Sequence, residues 1–263
     1  MERVPVPHAR VPDGATNAYL VDEHDSPRAA SADRAANRPG TALVDPAGRH
    51  ERLDDAIDDV AHVLVTHTHP DHVGALAHYA RESGATVWAH APHADRLEDA
   101  TGVTPDRTFR DGDAVGPLTA VSTPGHASDH VAFAIGGDYL VGDLVRANGS
   151  VAIGRDGDLR AYLTGLRRLA ARHPRRLHPG HGPPVDAPRE RIADAIAHRN
   201  EREERVLDAV RGGAQTLDAV LDAAYDTDLG DARRFAATTV AAHLRKLAVE
   251  GDVTWDGERA TPA

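Results

Sequence analysis

The sequence contains the run His67-Thr68-His69-Pro70-Asp71-His72, which holds four potential metal ligands within six residues. Residues 60–66, directly before it, are mostly apolar and predict a buried strand, and the apolar residues of 73–83 recur at helical spacing. The run therefore occupies a loop between a strand and a helix. Four ligands this close together can supply two adjacent metal ions, so the spacing predicts a metal site at the end of the strand.

The residue types in the chain restrict which ligands such a site can use. The 263 residues include 17 histidines and no cysteine. Disulfides, thiolate metal sites and cysteine nucleophiles are therefore excluded, and any metal must be held by His, Asp or Glu. Scattered histidines are usually surface or core residues, so only histidines with ligand spacing count as evidence for a site.

Charge and hydropathy restrict the partners and the location of the protein. The net charge at pH 7 is -11, and Lys246 is the single lysine among 30 basic residues. An acidic excess offers no overall attraction to nucleic acid, whose binding usually depends on a basic surface. No apolar run reaches the length of about 18 residues that a membrane helix needs, and the N-terminus lacks a hydrophobic signal core. We therefore expect a cytoplasmic protein with no membrane partner.

Short apolar segments alternate with helical patterns through the first part of the chain, which indicates a layered α/β domain. A polar stretch at residues 22–40, rich in Ala, Arg, Asp and Pro, predicts a surface loop. Helices are predicted at residues 73–83 and 159–172. Strands are predicted at residues 17–21, 41–45, 60–66, 86–89, 118–123, 131–135, 139–141 and 175–178.

The character of the sequence changes after Pro183-Pro184, where long charged helical patterns replace the short strands. Helices are predicted at residues 189–210, 217–225 and 231–249, followed by a short strand at 253–255. Three helices closed by a small β element are typical of a winged-helix-like module. We therefore divide the chain into an α/β domain at residues 1–187 and a winged-helix-like domain at residues 188–263.

Three later motifs follow the histidine run in order: Thr123-Pro124-Gly125-His126, Gly142-Asp143 and Pro179-Gly180-His181-Gly182. With the run at residues 67–72, which matches the signature HxHxDH, they resemble the metallo-β-lactamase superfamily. The resemblance implies a catalytic domain folded as a four-layer αββα sandwich, with a hydrolytic site for two divalent metal ions. It assigns His67, His69 and His126 to the first ion. It assigns Asp71, His72 and His181 to the second ion, and Asp143 to a bridge between the two.

The donor set restricts the chemistry that the resemblance implies. Imidazole and carboxylate ligands suit zinc, although manganese or iron can occupy the same nitrogen and oxygen atoms. Redox di-iron relatives of this fold typically replace a ligating histidine by glutamate, whereas His69 is retained here, so hydrolysis is favoured over oxygen reduction. Two such ions can lower the pKa of a shared water, so the expected nucleophile is a metal-bridging hydroxide. Asp71 is expected to orient this hydroxide as well as to ligate.

Two further residues are predicted to lie near the ligands. Asp45, at the end of a predicted strand, matches the family position whose carboxylate supports the ligand loop from outside. The alternative for Asp45 is an ordinary strand-end aspartate. His130 follows His126 by four residues. It either approaches the substrate, where it can donate a proton to a leaving group, or packs in the interior.

The superfamily fold hosts several hydrolytic reactions, so the flanking sequence must select among them. The segment His198-Arg199-Asn200-Glu201-Arg202-Glu203 and the terminal helices resemble the β-lactamase-like protein 2 group, which includes endoribonucleases acting on single-stranded RNA. RNA phosphodiester hydrolysis is therefore our first prediction. The alternative is a thioester or lactone hydrolase like glyoxalase II, acting on a small molecule. A third class is a winged-helix protein that binds DNA or a protein partner and carries an idle metal site.

The C-terminal helices give the RNA prediction weak support. From residue 188 onward there are eleven basic residues against fifteen acidic ones, a net charge of about -4, whereas nucleic-acid binding normally requires a basic surface. Interspersed Arg and Glu are typical of a solvated helix face. We therefore expect the module to cover the active site or to form a homodimer interface in preference to contacting nucleic acid.

Overall fold

The computed structural model describes residues 1–9, 11, 14–25 and 40–263, so most of the predicted loop at 22–40 lies outside the described residues. The strands of the described part are β1 (Glu2–Pro7), β2 (Ala15–Val21), β3 (Thr41–Val44), β4 (Val60–Leu64), β5 (Thr86–His90), β6 (Arg107–Phe109), β7 (Ala114–Val115), β8 (Leu118–Ser122), β9 (Val131–Ile135), β10 (Asp138–Gly142), β11 (Arg176–Pro179), β12 (Val253–Trp255) and β13 (Ala260–Pro262). Its α-helices are α1 (Glu51–Asp55), α2 (Pro70–Val73), α3 (Leu76–Ser83), α4 (Ala94–Thr101), α5 (Leu159–Ala170), α6 (Pro188–Arg211), α7 (Leu217–Ala224) and α8 (Arg233–Glu250).

Two mixed sheets form the centre of the first domain. The first has the strand order β1-β2-β3-β4-β5-β6, and the second has the order β11-β10-β9-β8-β7. Strands β3 to β6 run parallel, with β1 and β2 antiparallel at one edge. In the second sheet only β10 and β11 pair in parallel. The parallel strands point their carboxyl ends in one direction, which brings the segments after them to one edge of each sheet.

Alternating side chains of the strands build separate cores on the two faces of the first sheet. In β2, Ala18 and Leu20 pack with residues of α1, α3 and α4, whereas Tyr19 and Val21 pack with residues of the second sheet. This alternation is the period of two that a strand imposes on its side chains. The first sheet is therefore covered by helices on one face and by the second sheet on the other.

The second sheet repeats the arrangement in the opposite order. Leu140 of β10 lies in the core between the sheets, whereas its neighbour Val141 packs with α5 residues such as Leu163 and Leu166. The layers therefore follow the order helices, sheet, sheet, helices. This confirms the predicted αββα sandwich. Burial on both faces also explains why these strands are almost continuously apolar in the sequence.

The predicted helix at 73–83 is wrong in its extent, because the structure divides it into α2 and α3. Gly74 lies between them, where a Cβ atom would come within 2.3 Å of the carbonyl oxygen of Ala47. The backbone N–H of Ala75 donates to the carbonyl of Pro46 at 2.8 Å. This close contact between chain segments interrupts the helix, and helical spacing alone does not reveal it. Strands β1, β6, β7 and β13 and helices α1 and α4 were also not predicted.

The C-terminal region has a core of its own. Val206 and Val210 from α6 pack with Leu221 from α7 and Leu244 from α8, and the hairpin of β12 and β13 closes the cluster. The first half of α6 instead packs Ile192 against the second sheet and α5. Helix α6 thus contributes to two cores. The predicted division at residue 188 falls at its first residue and stays a prediction, as does the winged-helix likeness.

None of the helices in the described part of the chain is both long and apolar enough to cross a membrane.

Glu203 links α6 to α8, and we expect Glu203→Gln to destabilise the C-terminal core. Its carboxylate accepts from Lys246 Nζ at 2.5 Å and lies 3.3 Å from His243 Nδ1. Losing these charged hydrogen bonds should lower the free energy of unfolding at pH 7 by about 1–3 kcal/mol. Denaturant unfolding of both proteins measures this change.

The effect of Glu203→Gln should also depend on pH. Burial raises the pKa of Glu203, but His243 and Lys246 outweigh burial and lower it overall. The carboxylate's contribution is therefore present above the ordinary glutamate pKa of about 4.3 and is lost as the pH falls through the folded value. Glu204→Gln, at the exposed neighbouring position, is the matched control. Equal losses in the two variants would contradict the prediction.

Candidate metal centre

The ligand loop is positioned by the buried strand before it and the short helix after it. Strand β4 is buried along its whole length, and α2 begins at Pro70, a residue suited to the first turn of a helix. His67 and His72 are almost completely buried, whereas His69 and Asp71 are partly exposed. The loop therefore presents its four predicted ligands between the protein interior and solvent.

Three histidines form the first group of converging donors. His67 Nε2 lies 3.0 Å from His69 Nδ1, and His126 Nε2 lies 2.9 Å from the same atom. His126 comes from the loop after β8, in the other sheet. These three residues can offer one ligand atom each within 4.8 Å of one another, which is the arrangement that a single metal ion requires.

The second group combines a carboxylate with two imidazoles. Asp71 Oδ2 lies 3.3 Å from His181 Nε2 and 3.9 Å from His72 Nε2. His181 follows β11, so this group also draws on both sheets. The predicted ligands of the second ion are thus brought together, and His72 also lies within reach of His67 and Asp143.

Asp143 lies between the two groups. One of its carboxylate oxygens, Oδ1, is 3.4 Å from His181 Nε2 and 3.7 Å from His72 Nε2. The other, Oδ2, is 3.7 Å from His126 Nε2. Each oxygen therefore faces a different group, which is the position that the predicted bridging ligand must occupy.

Hydrogen bonds on the outer side of three imidazoles fix which nitrogen faces the site. His126 Nδ1 donates to the carbonyl of Ala152 at 2.8 Å, and His181 Nδ1 donates to the carbonyl of Ala15 at 3.0 Å. His72 Nδ1 donates to the carboxylate of Asp45 at 3.0 Å. Because these partners are acceptors, Nδ1 carries a hydrogen in each case and Nε2 becomes the ligand atom.

Asp45 supports ligands of both groups. Its Oδ2 accepts from His72 Nδ1 and from the Thr66 hydroxyl at 2.8 Å, while Oδ1 accepts from the Thr66 backbone N–H at 2.6 Å. The Thr66 hydroxyl, whose hydrogen goes to Asp45, lies 3.1 Å from His67 Nδ1 and can accept from it. Asp45 has a positive φ of 53°, which aspartate tolerates better than most residues. These contacts match the supporting role that the sequence predicts for Asp45. The part played by Thr66 was not predicted.

His130 lies behind Asp143 in the protein interior. It is completely buried, and its Nε2 accepts from the backbone N–H of Asp143 at 3.1 Å. Its Nδ1 lies 2.9 Å from the hydroxyl of Thr123. With both ring nitrogens engaged inside the protein, His130 fits the packing alternative and holds the backbone of the bridging aspartate.

The electrostatics of the site favour cations. Burial and the neighbouring imidazoles hold the pKa of His67 well below its usual value. Burial raises the pKa of Asp71 and Asp143, but the imidazoles outweigh it, so the pKa of Asp71 falls to about 2 and that of Asp143 falls well below its usual range. Burial lowers the pKa of His181, but both carboxylates outweigh it and raise that pKa to about 10. A divalent cation would displace the proton that these carboxylates hold on His181.

The donor set fits two divalent metal ions. His72 Nε2 and Asp143 Oδ1 are buried and form no hydrogen bond within the protein, although both point into the cluster. Buried polar atoms are rarely left without a partner. A bound cation would be the partner of both His72 Nε2 and Asp143 Oδ1. The seven predicted ligands therefore form one continuous site in which each would hold an ion.

Gly180 leaves space for the second group. A Cβ atom at this position would lie 2.6 Å from His72 Cε1 and 2.9 Å from Asp143 Oδ1. Any side chain would therefore push against two ligands at once. This contact explains physically why glycine stands before His181 in the motif Pro179-Gly180-His181-Gly182.

Several supporting residues were not found from the sequence. Asp129 Oδ2 accepts from the backbone N–H of Thr68, within the ligand loop, at 2.9 Å. Asp156 Oδ2 lies 3.7 Å from His69 Nε2 and accepts from Arg96 Nη2 at 2.9 Å. Asp129 directly precedes His130 in the sequence, whereas Asp156 lies in a loop without any ligand spacing.

Arginines of the C-terminal helices hold the segment at residues 146–157, which was also not predicted. Arg191 Nε donates to the carbonyl of Arg146 at 2.7 Å, and Arg199 donates to the carbonyl of Val151. Arg245 from α8 donates to the carbonyl of Gly154 at 3.1 Å. Because this segment includes the Ala152 carbonyl that holds His126, the C-terminal helices support the metal centre indirectly.

Asp45→Asn should weaken metal binding without disturbing the backbone. Asparagine tolerates a positive φ, but it cannot supply a carboxylate to both His72 and Thr66. Loss of such an outer partner typically lowers metal affinity about 10- to 100-fold. Competition titration with a chelating indicator measures the affinity. Unchanged affinity in a folded variant would contradict the role assigned to Asp45.

Gly180→Ala should reduce the number of bound metal ions. The added methyl group would displace His72 or Asp143, so we expect fewer than two ions per chain by elemental analysis. Gly165→Ala, in α5, is a control for adding a methyl group, because a Cβ atom there makes only ordinary contacts of 3.5 Å. Two tightly bound ions in Gly180→Ala would show that the ligands do not need this space.

The chain is similar to two kinds of curated protein. It is 35% identical over 158 residues to the thioesterase pkgB of Emericella nidulans, a match that covers 59% of this chain and 44% of that protein. It is 29% identical over 208 residues to the beta-lactamase-like protein 2 homolog of Drosophila melanogaster, covering 72% of this chain and 68% of the relative. The chain thus matches less than half of the first relative and about two thirds of the second.

The fold is shared with a solved structure along the whole chain. The metallo-beta-lactamase family protein TTHA1429 from Thermus thermophilus superposes with a TM-score of 0.77 at 25% sequence identity. The superposition covers 100% of this chain and 98% of that protein, so it includes the C-terminal helices.

A sequence model of the metallo-beta-lactamase superfamily matches residues 37–181, which is more than half of the chain. All seven candidate ligands lie within the matched residues, and the last of them is His181. The chain therefore belongs to the metallo-β-lactamase superfamily.

Proposed function

We propose that this chain is a metal-dependent hydrolase of small-molecule thioesters. The proposal rests on seven converging candidate ligands in a chain that is 35% identical over 158 residues to a protein named as a thioesterase. The beta-lactamase-like protein 2 likeness alone does not distinguish thioester from RNA cleavage. The alternative that the sequence left open is therefore better supported than our first prediction, the hydrolysis of RNA.

Leaving-group chemistry also favours a thioester. A thiolate departs without prior protonation because the pKa of a thiol is only about 8.5. The ribose oxygen released from an RNA phosphodiester is far more basic and gains more from a proton donor. His130, the donor considered from the sequence, is completely buried with both nitrogens engaged. Hydrolysis of a thioester does not need this proton donor.

The residues of the site have different roles in the proposed reaction. When bound, two divalent cations would activate a water molecule and polarise the thioester carbonyl. His67, His69 and His126 would hold one cation, and Asp71, His72 and His181 the other. The ionised carboxylate of Asp71 is partly exposed, so it can also accept a hydrogen bond from the attacking water and orient it. Asp45 and His130 keep the ligands in place from behind.

We propose zinc as the resident ion, because the donors are imidazole and carboxylate and the reaction requires no redox change. Manganese and iron accept the same donors. Elemental analysis of protein purified without added metal distinguishes the three. The predicted cytoplasmic location and homodimer are independent of this assignment.

The proposal is tested by assaying the metal-loaded protein in parallel on a neutral thioester such as S-acetyl-N-acetylcysteamine, a lactone and single-stranded RNA. We expect thioester turnover that falls by about 100-fold or more in kcat/KM in Asp71→Asn, because this change removes both a ligand and the group that orients water. Asp99→Asn, an exposed aspartate of α4, is the matched control.

The other outcomes each contradict the proposal differently. RNA cleavage that is lost in Asp71→Asn, without thioester turnover, would restore the endoribonuclease prediction. Lactone turnover alone would keep the hydrolase and change its substrate. Fewer than one ion per chain and no activity on any substrate would favour the third class, a binding protein with an idle site.

A further inference from the structure

A cavity of about 360 Å³ lies between the segment that follows Asp143 and the first half of α6. One wall is formed by residues 145–151, and the other is formed by α6 with Tyr162 from α5. Its volume is at the lower end of the range for small-molecule sites, about 300–1,000 Å³. Neither the ligand motifs nor the predicted catalytic residues account for this cavity.

The cavity wall is basic in an otherwise acidic protein. Arg146, Arg191 and Arg199 line it, together with His198, and Asp194 is the single carboxylate among its lining residues. The chain as a whole carries a net charge of -11. The cluster of guanidinium groups around this cavity is therefore opposite in sign to the net charge of the chain. Such a surface attracts anions.

Arg199 is an unusual group to find in the wall. Only 3% of the residue is exposed, its guanidinium lies 5.3 Å from the centre of the Tyr162 ring, and it donates to the carbonyl of Val151. Within the described part of the chain, neither Arg199 nor Arg191 forms an ion pair with a carboxylate. A buried cation without a counter-ion is costly, so an anion entering the cavity would be stabilised there.

The titration behaviour of His198 is consistent with a positive potential at this wall. Partial burial lowers the pKa of His198, and the guanidiniums of Arg199 and Arg202 lower it further. Protonation of an imidazole is disfavoured near other cations. The same electrostatic environment that disfavours the imidazolium favours a negatively charged ligand.

The cavity wall is continuous in sequence with residues of the metal centre at two points. Its wall begins at Val145, two residues after Asp143, and Tyr162 donates its hydroxyl to the carbonyl of Leu144 at 2.8 Å. The wall ends at Val151, directly before the Ala152 carbonyl that holds His126. A molecule in the cavity is therefore next to the segments that carry Asp143 and orient His126.

We propose that this cavity binds an anionic group, a carboxylate or a phosphate, at the end of the substrate remote from the bond that is cleaved. Guanidinium groups recognise both anions through paired N–H donors. The inference rests on the proposed function, because it places the thioester of the same molecule at the metal centre. It narrows the substrate class from thioesters in general to thioesters with a negatively charged tail.

Adding a negative charge to the wall tests the inference without removing an arginine. Arg191 and Arg199 also hold the segment at 146–157, so replacing them would change the metal centre as well. Asn148 is an exposed residue of the cavity wall, and Asn148→Asp adds a carboxylate there. Asn200→Asp is the matched control, because Asn200 is exposed on α6 and does not line the cavity.

Matched substrates separate the two sources of the anion. Acetyl-pantetheine and its 4′-phosphate differ only in the phosphate, and S-acetyl-3-mercaptopropionate and its methyl ester differ only in the carboxylate. We expect the wild-type KM to be about tenfold lower for at least one charged member than for its neutral partner, and to rise at high salt. Asn148→Asp should bring that ratio of KM values close to one, whereas Asn200→Asp should retain it.

Direct binding distinguishes failure of the inference from failure of the proposed function. The Kd values of pantetheine and pantetheine 4′-phosphate, and of 3-mercaptopropionate and its methyl ester, can be measured by calorimetry without turnover. Equal values for the charged and neutral members of both pairs, or the same preference in wild type and Asn148→Asp, would overturn the inference. Absence of thioester turnover with a retained anion preference would overturn the proposed function and its thioester class, while leaving an anion site in the cavity.

Discussion

The buried carboxylate of Asp45 is the interaction on which the metal centre depends. It is placed at the end of β3 and accepts hydrogen bonds from His72 and twice from Thr66, at the end of the neighbouring strand. Through Thr66 it also reaches His67, so one side chain orients ligands of both groups. A carboxylate in this position compensates for its burial only while these donors remain in place. Fold and site therefore stabilise each other at this residue.

The sandwich brings together ligands that are far apart in the sequence. His67 and His72 follow the first sheet, whereas His126, Asp143 and His181 follow strands of the second sheet. The apolar core between the sheets fixes their relative position, because close-packed strands leave little freedom to move. Gly180 leaves room for two ligands where the segments meet. Rigid strand ends and a compact glycine together allow the ligand atoms of the two sheets to converge.

The sequence predicts the ligands better than their surroundings. The ligand run and the three later motifs are local patterns. Apolar segments that alternate with helical patterns predict a layered α/β domain, and the resemblance to the superfamily implies its αββα order. The split between α2 and α3 could not be predicted, because it depends on the approach of Gly74 to Ala47. Arg199 was visible within a motif, but its contact with Val151 crosses 48 positions of sequence. Such contacts, and the position of His130 behind Asp143, exist only once the chain has folded.

We propose that these seven side chains hold two divalent ions at one site. An anomalous difference map from a crystal of the metal-loaded protein tests it most directly. Two peaks about 3.5–4 Å apart are predicted. One should lie among His67, His69 and His126, and the other among Asp71, His72 and His181. A single peak, or peaks away from these residues, would contradict the account.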